Sequence, residues 1–201
     1  MNQMNPKELA GLAIGAYGAM QKYDELYALY KLLMEQKIST ETVLEIGSGR
    51  GGTLWGWCHL PTTKTAISID LPGGAFGGGL TDMDKERIEN WAIENQSTYL
   101  ASLDSHDPKT LEEIKNTLLD PIELLFIDGD HTYEGVKKDY EMYSPLVRIG
   151  GTIVFHDICE HPPETKCDVK RFWDEVKQGK DFKEFLSEPL SWGGIGVLLH
   201  E

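Results

Sequence analysis

The sequence is poor in cysteine and has no long apolar segment, and each shortage excludes a class of protein. Its three cysteines, Cys58, Cys159 and Cys167, are an odd number, and their spacing matches no Cys-x-x-Cys zinc pattern. They indicate reduced thiols rather than a disulfide framework. No apolar run approaches the roughly 20 residues that span a bilayer, and residues 1–8 lack a signal-peptide core. We therefore expect a cytoplasmic protein without membrane partners.

Basic residues are also scarce relative to acidic ones. Lysine and arginine total 19 against 33 aspartates and glutamates, which gives a formal net charge of −14. A surface this acidic repels the phosphates of nucleic acids and of anionic lipids, so neither is an expected partner. It slightly favours a small cationic ligand. The 201 residues, 40% of them hydrophobic, suffice for one α/β domain with its own core.

Short β-rich segments alternate with helical segments from residue 42 onward. Strands are predicted at 42–46, 65–70, 97–101, 122–127, 152–155, 182–186 and 194–199. Helices are predicted at 83–95, 108–119, 133–147 and 166–178. This alternation predicts an α/β fold, a Rossmann-like doubly wound sheet with helices on both faces.

The residues before the first strand have a different pattern. Residues 6–36 are predicted to be helical, because apolar side chains recur at helical spacing. We expect residues 1–38 to be an N-terminal helical extension that serves as a lid or as a dimer contact in a homo-oligomer. Residues 39–201 then form the main domain.

A glycine-rich segment follows the first predicted strand. Gly47, Gly49 and Gly52 fit the G-x-G-x-x-G dinucleotide pattern, which by itself is a weak signal. A dinucleotide places its anionic pyrophosphate at the start of the next helix. Glu45, two residues before the first glycine, would repel that pyrophosphate and suits a cationic cofactor. Asp70, at the end of the second strand, is placed to accept hydrogen bonds from ribose hydroxyls.

Acidic residues and histidines follow the fourth and fifth predicted strands. They are Asp128, Asp130, His131, His156 and Asp157. The carboxyl ends of neighbouring parallel strands meet at one sheet edge, so these side chains are expected to converge. Carboxylates and imidazoles together can hold Mg²⁺, which activates a hydroxyl nucleophile, and a histidine can accept the proton. Asp130 is expected to cap the following helix instead.

Three segments carry a resemblance to a known family. Residues 43–49, Val-Leu-Glu-Ile-Gly-Ser-Gly, resemble motif I of class I S-adenosylmethionine-dependent methyltransferases. Residues 126–139, which contain Ile-Asp-Gly-Asp-His, and residues 155–157, Phe-His-Asp, resemble a narrower branch. That branch contains small-molecule and macrolide-sugar O-methyltransferases and cephalosporin hydroxylase-like proteins. The resemblance extends over about residues 40–200 and is most specific in the Ile-Asp-Gly-Asp-His segment.

The resemblance implies a fold, a reaction and a set of site residues. The fold is a seven-stranded sheet of order 3-2-1-4-5-7-6 with the last strand antiparallel. The reaction transfers a methyl group from S-adenosylmethionine to a hydroxyl of a small molecule, with help from a divalent metal such as Mg²⁺. Cofactor contacts are expected from Glu45, Gly47, Ser48, Gly49, Asp70, Ser102, Asp104 and Asp128.

The same resemblance assigns the chemistry to the residues after strands four and five. Asp128 and Asp157 are expected to bind the metal, and His131 is expected to act as the base, with Asp128 as its catalytic partner. His156 departs from the pattern, because relatives usually have a carboxylate at its position. An imidazole there weakens a Mg²⁺ site and favours a softer metal, or leaves His156 as a supporting residue or base.

Other functions fit parts of the sequence. A nicotinamide-dependent oxidoreductase fits the glycine pattern, although Glu45 argues against it. An iron-dependent hydroxylase needs two histidines and a carboxylate, which His131, His156 and Asp157 supply. A protein that binds S-adenosylmethionine without turnover would keep only the fold. The methyl acceptor is not identified by the sequence.

Loops near the predicted site allow two interpretations each. Residues 71–79 contain five glycines and either fold over a ligand or form a flexible surface loop. Residues 161–163 and 192–194 either line the substrate entrance or are ordinary loops.

Overall fold

The N-terminal segment folds as two helices rather than one. The computed structural model describes residues 3–74, 79–91 and 96–201. In place of the predicted helical stretch 6–36, it has α1 (Pro6–Gly15) and α2 (Tyr23–Glu35). The chain turns between them at Gly18, whose φ of +79° lies in the left-handed region that stops a helix. Residues 16–22 form the connector between the two helices.

The rest of the chain is built on a seven-stranded sheet of order β3-β2-β1-β4-β5-β7-β6. Its strands are β1 (Thr42–Ile46), β2 (Thr65–Ile69), β3 (Ser97–Ala101), β4 (Ile122–Ile127), β5 (Val147–His156), β6 (Phe182–Phe185) and β7 (Ile195–Leu199). Strands β1 to β5 pair in parallel, and β7 runs antiparallel to both β5 and β6. The predicted fold class, strand order and antiparallel last strand are confirmed.

Helices connect the parallel strands. They are α3 (Gly52–Cys58), α4 (Asp82–Glu89), α5 (Pro108–Thr117), α6 (Tyr133–Tyr143) and α7 (Val169–Val176). Several are shorter than predicted. Helix α6 gives way to a 3₁₀ turn at Ser144–Leu146, where Pro145 has no backbone N–H to continue the helix. The predicted extension of α4 to residue 95 falls partly on residues 92–95, outside the described ranges.

An apolar core lies on each face of the sheet. One core joins α1, α2 and α3 to the sheet, with Tyr30 and Trp57 fully buried. The other joins α5, α6 and α7 to the opposite face, with Tyr143 and Trp173 fully buried. The N-terminal extension therefore supplies part of the main core, and its service as a lid or a dimer contact stays a prediction. None of the helices in the described ranges combines the length and apolarity needed to cross a bilayer.

Candidate active site

The carboxyl ends of four parallel strands open into one cavity of about 780 Å³. Its lining includes Gly47 after β1, Asp70 after β2, Asp128 after β4, and His156 and Asp157 at the end of β5. This volume is within the range of roughly 300–1,000 Å³ found for small-molecule sites. The convergence expected from the strand order is therefore present.

The glycine loop between β1 and α3 is pressed against the segment that follows β4. Gly47 has a φ of +87°, and a Cβ added there would lie 2.0 Å from the backbone oxygen of Asp128. No larger residue fits this close approach without moving the backbone. The loop and Asp128 therefore share one wall of the cavity.

Glu45 lies beneath the glycine loop. Its side chain is fully buried, with Oε2 accepting a hydrogen bond from Ser48 Oγ at 2.7 Å and Oε1 accepting one from Trp57 Nε1 at 3.2 Å. Burial raises the pKa of Glu45 to about 7. Glu45 is not among the described residues that line the cavity. Its predicted contact with a cofactor stays a prediction, and its observed contacts support the loop from below.

Asp70 joins the glycine loop to the chain after β2. Its Oδ2 accepts a hydrogen bond from the Gly49 backbone N–H at 2.6 Å, and its Oδ1 accepts one from Gly79 N–H. The carboxylate lines the cavity, although the residue is only 2% exposed, and burial raises its pKa. The prediction that residues 71–79 fold over a ligand falls partly on residues 75–78, which lie outside the described residues.

The loop after β3 contributes Asp104 to the cavity, together with Ser105 and His106. His106 Nε2 lies 3.1 Å from Oδ1 of Asp139, which is fully buried on α6. Hydrogen bonding to this carboxylate raises the pKa of His106. Ser102 is absent from the described lining, and its contact with a cofactor stays a prediction. Spacing alone gives no signal for Ser105, His106 and Asp139, so their place at the site could not be predicted from the sequence.

Two aspartates and two histidines form a compact cluster at the ends of β4 and β5. His156 Nδ1 lies 3.0 Å from Asp128 Oδ1 and 3.4 Å from Asp157 Oδ1. His131 Nε2 lies 3.3 Å from Asp128 Oδ1, and its Nδ1 lies 3.3 Å from Asp157 Oδ2. Each imidazole thus bridges the same two carboxylates. Asp130 lies apart from these contacts. The expectation that it caps α6 is wrong, because Thr132 is the capping residue and Asp130 Oδ1 instead accepts a hydrogen bond from the Thr132 N–H.

The backbone of Asp157 is held in an uncommon conformation. Its φ is +61°, a left-handed value that non-glycine residues seldom adopt and that is found mainly where function or packing requires it. Its Oδ1 accepts a hydrogen bond from Gly193 N–H at 3.1 Å and lies 3.3 Å from His161 Nε2. These contacts hold the carboxylate between His156 and the loop before β7.

Attraction between the aspartates and histidines of this cluster shifts their pKa values. Burial by itself raises the pKa of both Asp128 and Asp157, but the positive charge of His156 outweighs it and lowers both values. Burial likewise lowers the pKa of His156, yet the two aspartates outweigh it and raise the pKa well above its ordinary value. The pKa of His131 is raised in the same way, chiefly by Asp128. The cluster therefore favours ionised carboxylates.

The donor atoms of this cluster fit a divalent metal ion. One atom each from Asp128, His156 and Asp157 lies within 4.8 Å of the other two. The separations of 3.0 and 3.4 Å from His156 Nδ1 are close to the roughly 3 Å between adjacent ligands of an octahedron with bonds of about 2.1 Å. His156 Nε2 is buried and has no hydrogen-bond partner among the described residues.

Residues far from these strands complete the cavity wall. Gln21, in the connector before α2, donates a hydrogen bond from Nε2 to Asp128 Oδ2 at 2.7 Å. His161 and Trp192 line the cavity, and the prediction that their loops border the substrate entrance stays a prediction. Gln21 could not be predicted as a site residue, because nothing in its local sequence links it to Asp128, more than a hundred positions away.

Comparisons with known proteins agree with this arrangement. The family model of the methyltransferase domain matches residues 44–158. A curated relative, Uncharacterized protein R132 of Acanthamoeba polyphaga mimivirus, is 30% identical over 141 residues. That match covers 69% of this chain and 62% of the relative, so this chain spans less than two thirds of the relative's length.

Two solved structures share the fold. The O-methyltransferase from Bacillus cereus, in complex with S-adenosylhomocysteine, is 15% identical with a TM-score of 0.61, covering 97% of this chain and 90% of its own. MycE methyltransferase from the mycinamycin biosynthetic pathway, in complex with Mg, S-adenosylhomocysteine and mycinamycin VI, is 14% identical with a TM-score of 0.64. That alignment covers 99% of this chain and 54% of MycE.

At such low identities the two structures establish likeness of fold alone, whereas the family model matches more than half of the chain. The residues that it matches run from β1 through the glycine loop to Asp157 and so contain most of the cavity wall. The chain therefore belongs to the methyltransferase-domain family, which confirms the resemblance to class I S-adenosylmethionine-dependent methyltransferases in family and fold.

Proposed function

We propose that this protein transfers the methyl group of S-adenosylmethionine to a hydroxyl of a small molecule, with assistance from a divalent metal. One observation carries the proposal: the cluster of Asp128, His131, His156 and Asp157 faces the same cavity as the glycine loop and Asp70. A cofactor held at one end of this cavity would present its methyl group to an acceptor at the other. Holding both reactants in line accounts for much of the acceleration available to such a displacement.

The end of the cavity around the glycine loop suits the cofactor. Asp70 is placed to accept hydrogen bonds from the ribose hydroxyls, beside backbone N–H groups of Ser48 and Gly49. Asp104 lies on the wall where the adenine would rest. Asp70 can serve the ribose of either cofactor. S-adenosylmethionine, however, carries a sulfonium and an ammonium and lacks a phosphate, so the ionised Asp128 beside the glycine loop favours it over a dinucleotide.

Asp128, His156 and Asp157 are the proposed metal ligands. Binding of the ion would release to solvent the proton that the two aspartates otherwise hold on His156. When bound, the ion would lower the pKa of the acceptor hydroxyl and orient its oxygen. An imidazole among the ligands makes the set softer than three carboxylates, so Mn²⁺ and similar ions are expected to compete well with Mg²⁺.

His131 is the proposed base and must be neutral to accept a proton. A cation bound to Asp128 and Asp157 would favour the neutral form, because it offsets the carboxylate charges that raise the pKa of His131. In the transfer, the acceptor oxygen attacks the methyl carbon, the carbon–sulfur bond breaks with its electron pair remaining on sulfur, and the hydroxyl proton passes to His131. Asp128 and Asp157, both about 3.3 Å from its ring nitrogens, would stabilise the imidazolium that forms. General-base catalysis of this kind typically contributes about 10²–10⁴-fold in rate.

Support for a small-molecule acceptor is chemical and comparative. The net charge of −14 disfavours nucleic acid. MycE, which shares the fold, was crystallised with mycinamycin VI. A hydroxylated small molecule entering between His161 and Trp192 would meet the acidic cluster directly.

Methyl transfer from radiolabelled S-adenosylmethionine tests this proposal. A panel of catechols, hydroxylated aromatics and sugars is incubated with the wild-type protein and Mg²⁺ or Mn²⁺. We expect label in at least one class of acceptor and a loss of roughly 10²–10⁴-fold in His131→Ala. The matched control is His200→Ala, because His200 follows β7 and is outside the described lining of the cavity.

Two outcomes would contradict the proposal. Label transfer by His131→Ala at the wild-type rate would show that His131 is not the base. Transfer at the same rate in chelator would show that the reaction needs no metal.

A further inference from the structure

Gln21 is a buried polar residue of the cavity wall that the reaction described above does not use. It lies in the connector between α1 and α2 and is 6% exposed. It is hydrogen-bonded to Asp128, against whose backbone Gly47 of the glycine loop packs, and all three residues line the cavity. Gln21 therefore lies where the glycine loop meets the acidic cluster.

The hydrogen bonds of Gln21 leave one atom available. Its Nε2 donates to Asp128 Oδ2 at 2.7 Å. Because an ionised carboxylate only accepts hydrogen bonds, this contact fixes the orientation of the amide and directs Oε1 away from Asp128. Oε1 is buried, and the described part of the chain offers it no donor. A buried acceptor without a donor is unfavourable, so Oε1 is suited to bind a group that carries an N–H or O–H.

The connector that carries Gln21 is held firmly. A Cβ on Gly52 would lie 2.0 Å from the Ala19 backbone nitrogen, so the connector packs directly on the start of α3. The next residue, Lys22, donates hydrogen bonds to the carbonyl oxygens of Ser187 and Pro189 at 2.7 and 2.6 Å. Gln21 is thus positioned in advance, which lowers the entropy lost when a ligand binds.

The path of the cofactor indicates which donor reaches Oε1. If its ribose lies at Asp70, and its sulfur must approach Asp128 and His131, its amino-acid part extends along the glycine loop toward the connector. That part carries an ammonium group, which is a strong donor and is favoured near the ionised Asp128. The ammonium of Lys22 does not compete, because it is engaged with Ser187 and Pro189.

We propose that Gln21 binds the ammonium group of the cofactor's amino-acid part through Oε1, while its Nε2 holds Asp128 in place. This inference rests on the proposed function, since it assumes that the cavity binds S-adenosylmethionine. It makes Gln21 a cofactor-specificity residue contributed by the N-terminal segment, outside residues 44–158 that the family model matches.

Calorimetric binding of two ligands tests this inference without turnover. The ligands are S-adenosylhomocysteine and its analogue with hydrogen in place of the amino group, both measured in chelator so that no metal contributes. The variants are wild type, Gln21→Met, which keeps the length of the side chain and removes its hydrogen bonds, and Gln178→Met as a control. Gln178 is exposed, and its amide donates to the Asp174 carbonyl oxygen rather than into the cavity.

We expect Gln21→Met to weaken S-adenosylhomocysteine binding by roughly 10- to 100-fold, the range for a hydrogen bond to a charged group. Binding of the deaminated analogue should change by less than about threefold, which also shows that the variant is folded. Equal weakening of both ligands, or no weakening of either, would overturn the role of Gln21. Failure of the wild type to bind S-adenosylhomocysteine is a different result: it would overturn the proposed cofactor and this inference with it.

Discussion

Buried carboxylates lie at both ends of the cavity, but their pKa values are shifted in opposite directions. At the glycine-loop end, Glu45 is surrounded by neutral donors, and burial raises its pKa to about 7. At the cluster end, Asp128 and Asp157 face imidazoles, and their pKa values are lowered although burial opposes the shift. Burial therefore decides the pKa of Glu45, whereas the charge of the neighbouring histidines keeps Asp128 and Asp157 ionised.

The two ends are also stabilised by different interactions. The glycine-loop end is shaped by backbone packing, as shown by the close approach of Gly47 to Asp128. The cluster end is shaped by attraction between charged side chains. Substitutions that crowd the backbone should therefore destabilise the glycine-loop end. Substitutions that remove a charge should affect the two ends differently.

The largest expected effect comes from replacing Gly47 by alanine. The new Cβ would meet the Asp128 backbone oxygen at 2.0 Å, in addition to the strain of a φ of +87°. We expect a loss of at least about 4 kcal/mol in the free energy of unfolding, measured by urea denaturation.

Gly49→Ala is the matched control for this substitution. Gly49 has a φ of +53°, but nothing in the described structure lies within 4 Å of its would-be Cβ. Only the left-handed conformation is then penalised, by about 1–2 kcal/mol. Equal losses in the two variants would show that the packing of the loop on Asp128 is not what requires a glycine.

A smaller effect is expected from Glu45→Gln, and it should depend on pH. The folded-state pKa of Glu45 is raised to about 7 from 4.5, so its contribution to stability is complete below pH 4.5 and is lost as pH rises through about 7. A neutral amide does not titrate in this range, so the variant does not lose this stability as pH rises. Relative to wild type, the variant should gain up to about 3 kcal/mol in the free energy of unfolding between pH 5 and pH 8.

Urea denaturation of both proteins at the two pH values measures this gain, and the exposed Glu134→Gln serves as the control. A wild-type protein that becomes more stable than Glu45→Gln as pH rises would reverse the sign and show that Glu45 is stabilised as a carboxylate. The buried carboxylates at both ends of the cavity would then be stabilised in their ionised form.

The sequence predicted the strands and the convergence of the residues that follow them, because both depend on local alternation and on the geometry of parallel sheets. This is why Asp128, His131, His156 and Asp157 could be grouped before any coordinates. The order of the seven strands came from the resemblance to methyltransferases, since pairing between distant strands leaves no local pattern.

Other features depend on contacts that are remote in the chain. The hydrogen bond from Gln21 to Asp128 and the pairing of His106 with Asp139 connect separate elements and have no local signature. Glu45 shows a different difficulty. Successive residues of a strand face opposite sides of the sheet, and its side chain points toward Trp57 of α3 rather than into the cavity.

The measurement that tests the central claim most directly is calorimetric titration of the wild-type protein with S-adenosylhomocysteine and, separately, with NAD⁺, in Mg²⁺ and in chelator. We predict micromolar binding of S-adenosylhomocysteine in both conditions and no binding of NAD⁺, because the ionised Asp128 beside the glycine loop repels a pyrophosphate. Binding of NAD⁺ in preference to S-adenosylhomocysteine, or of neither ligand, would contradict the account.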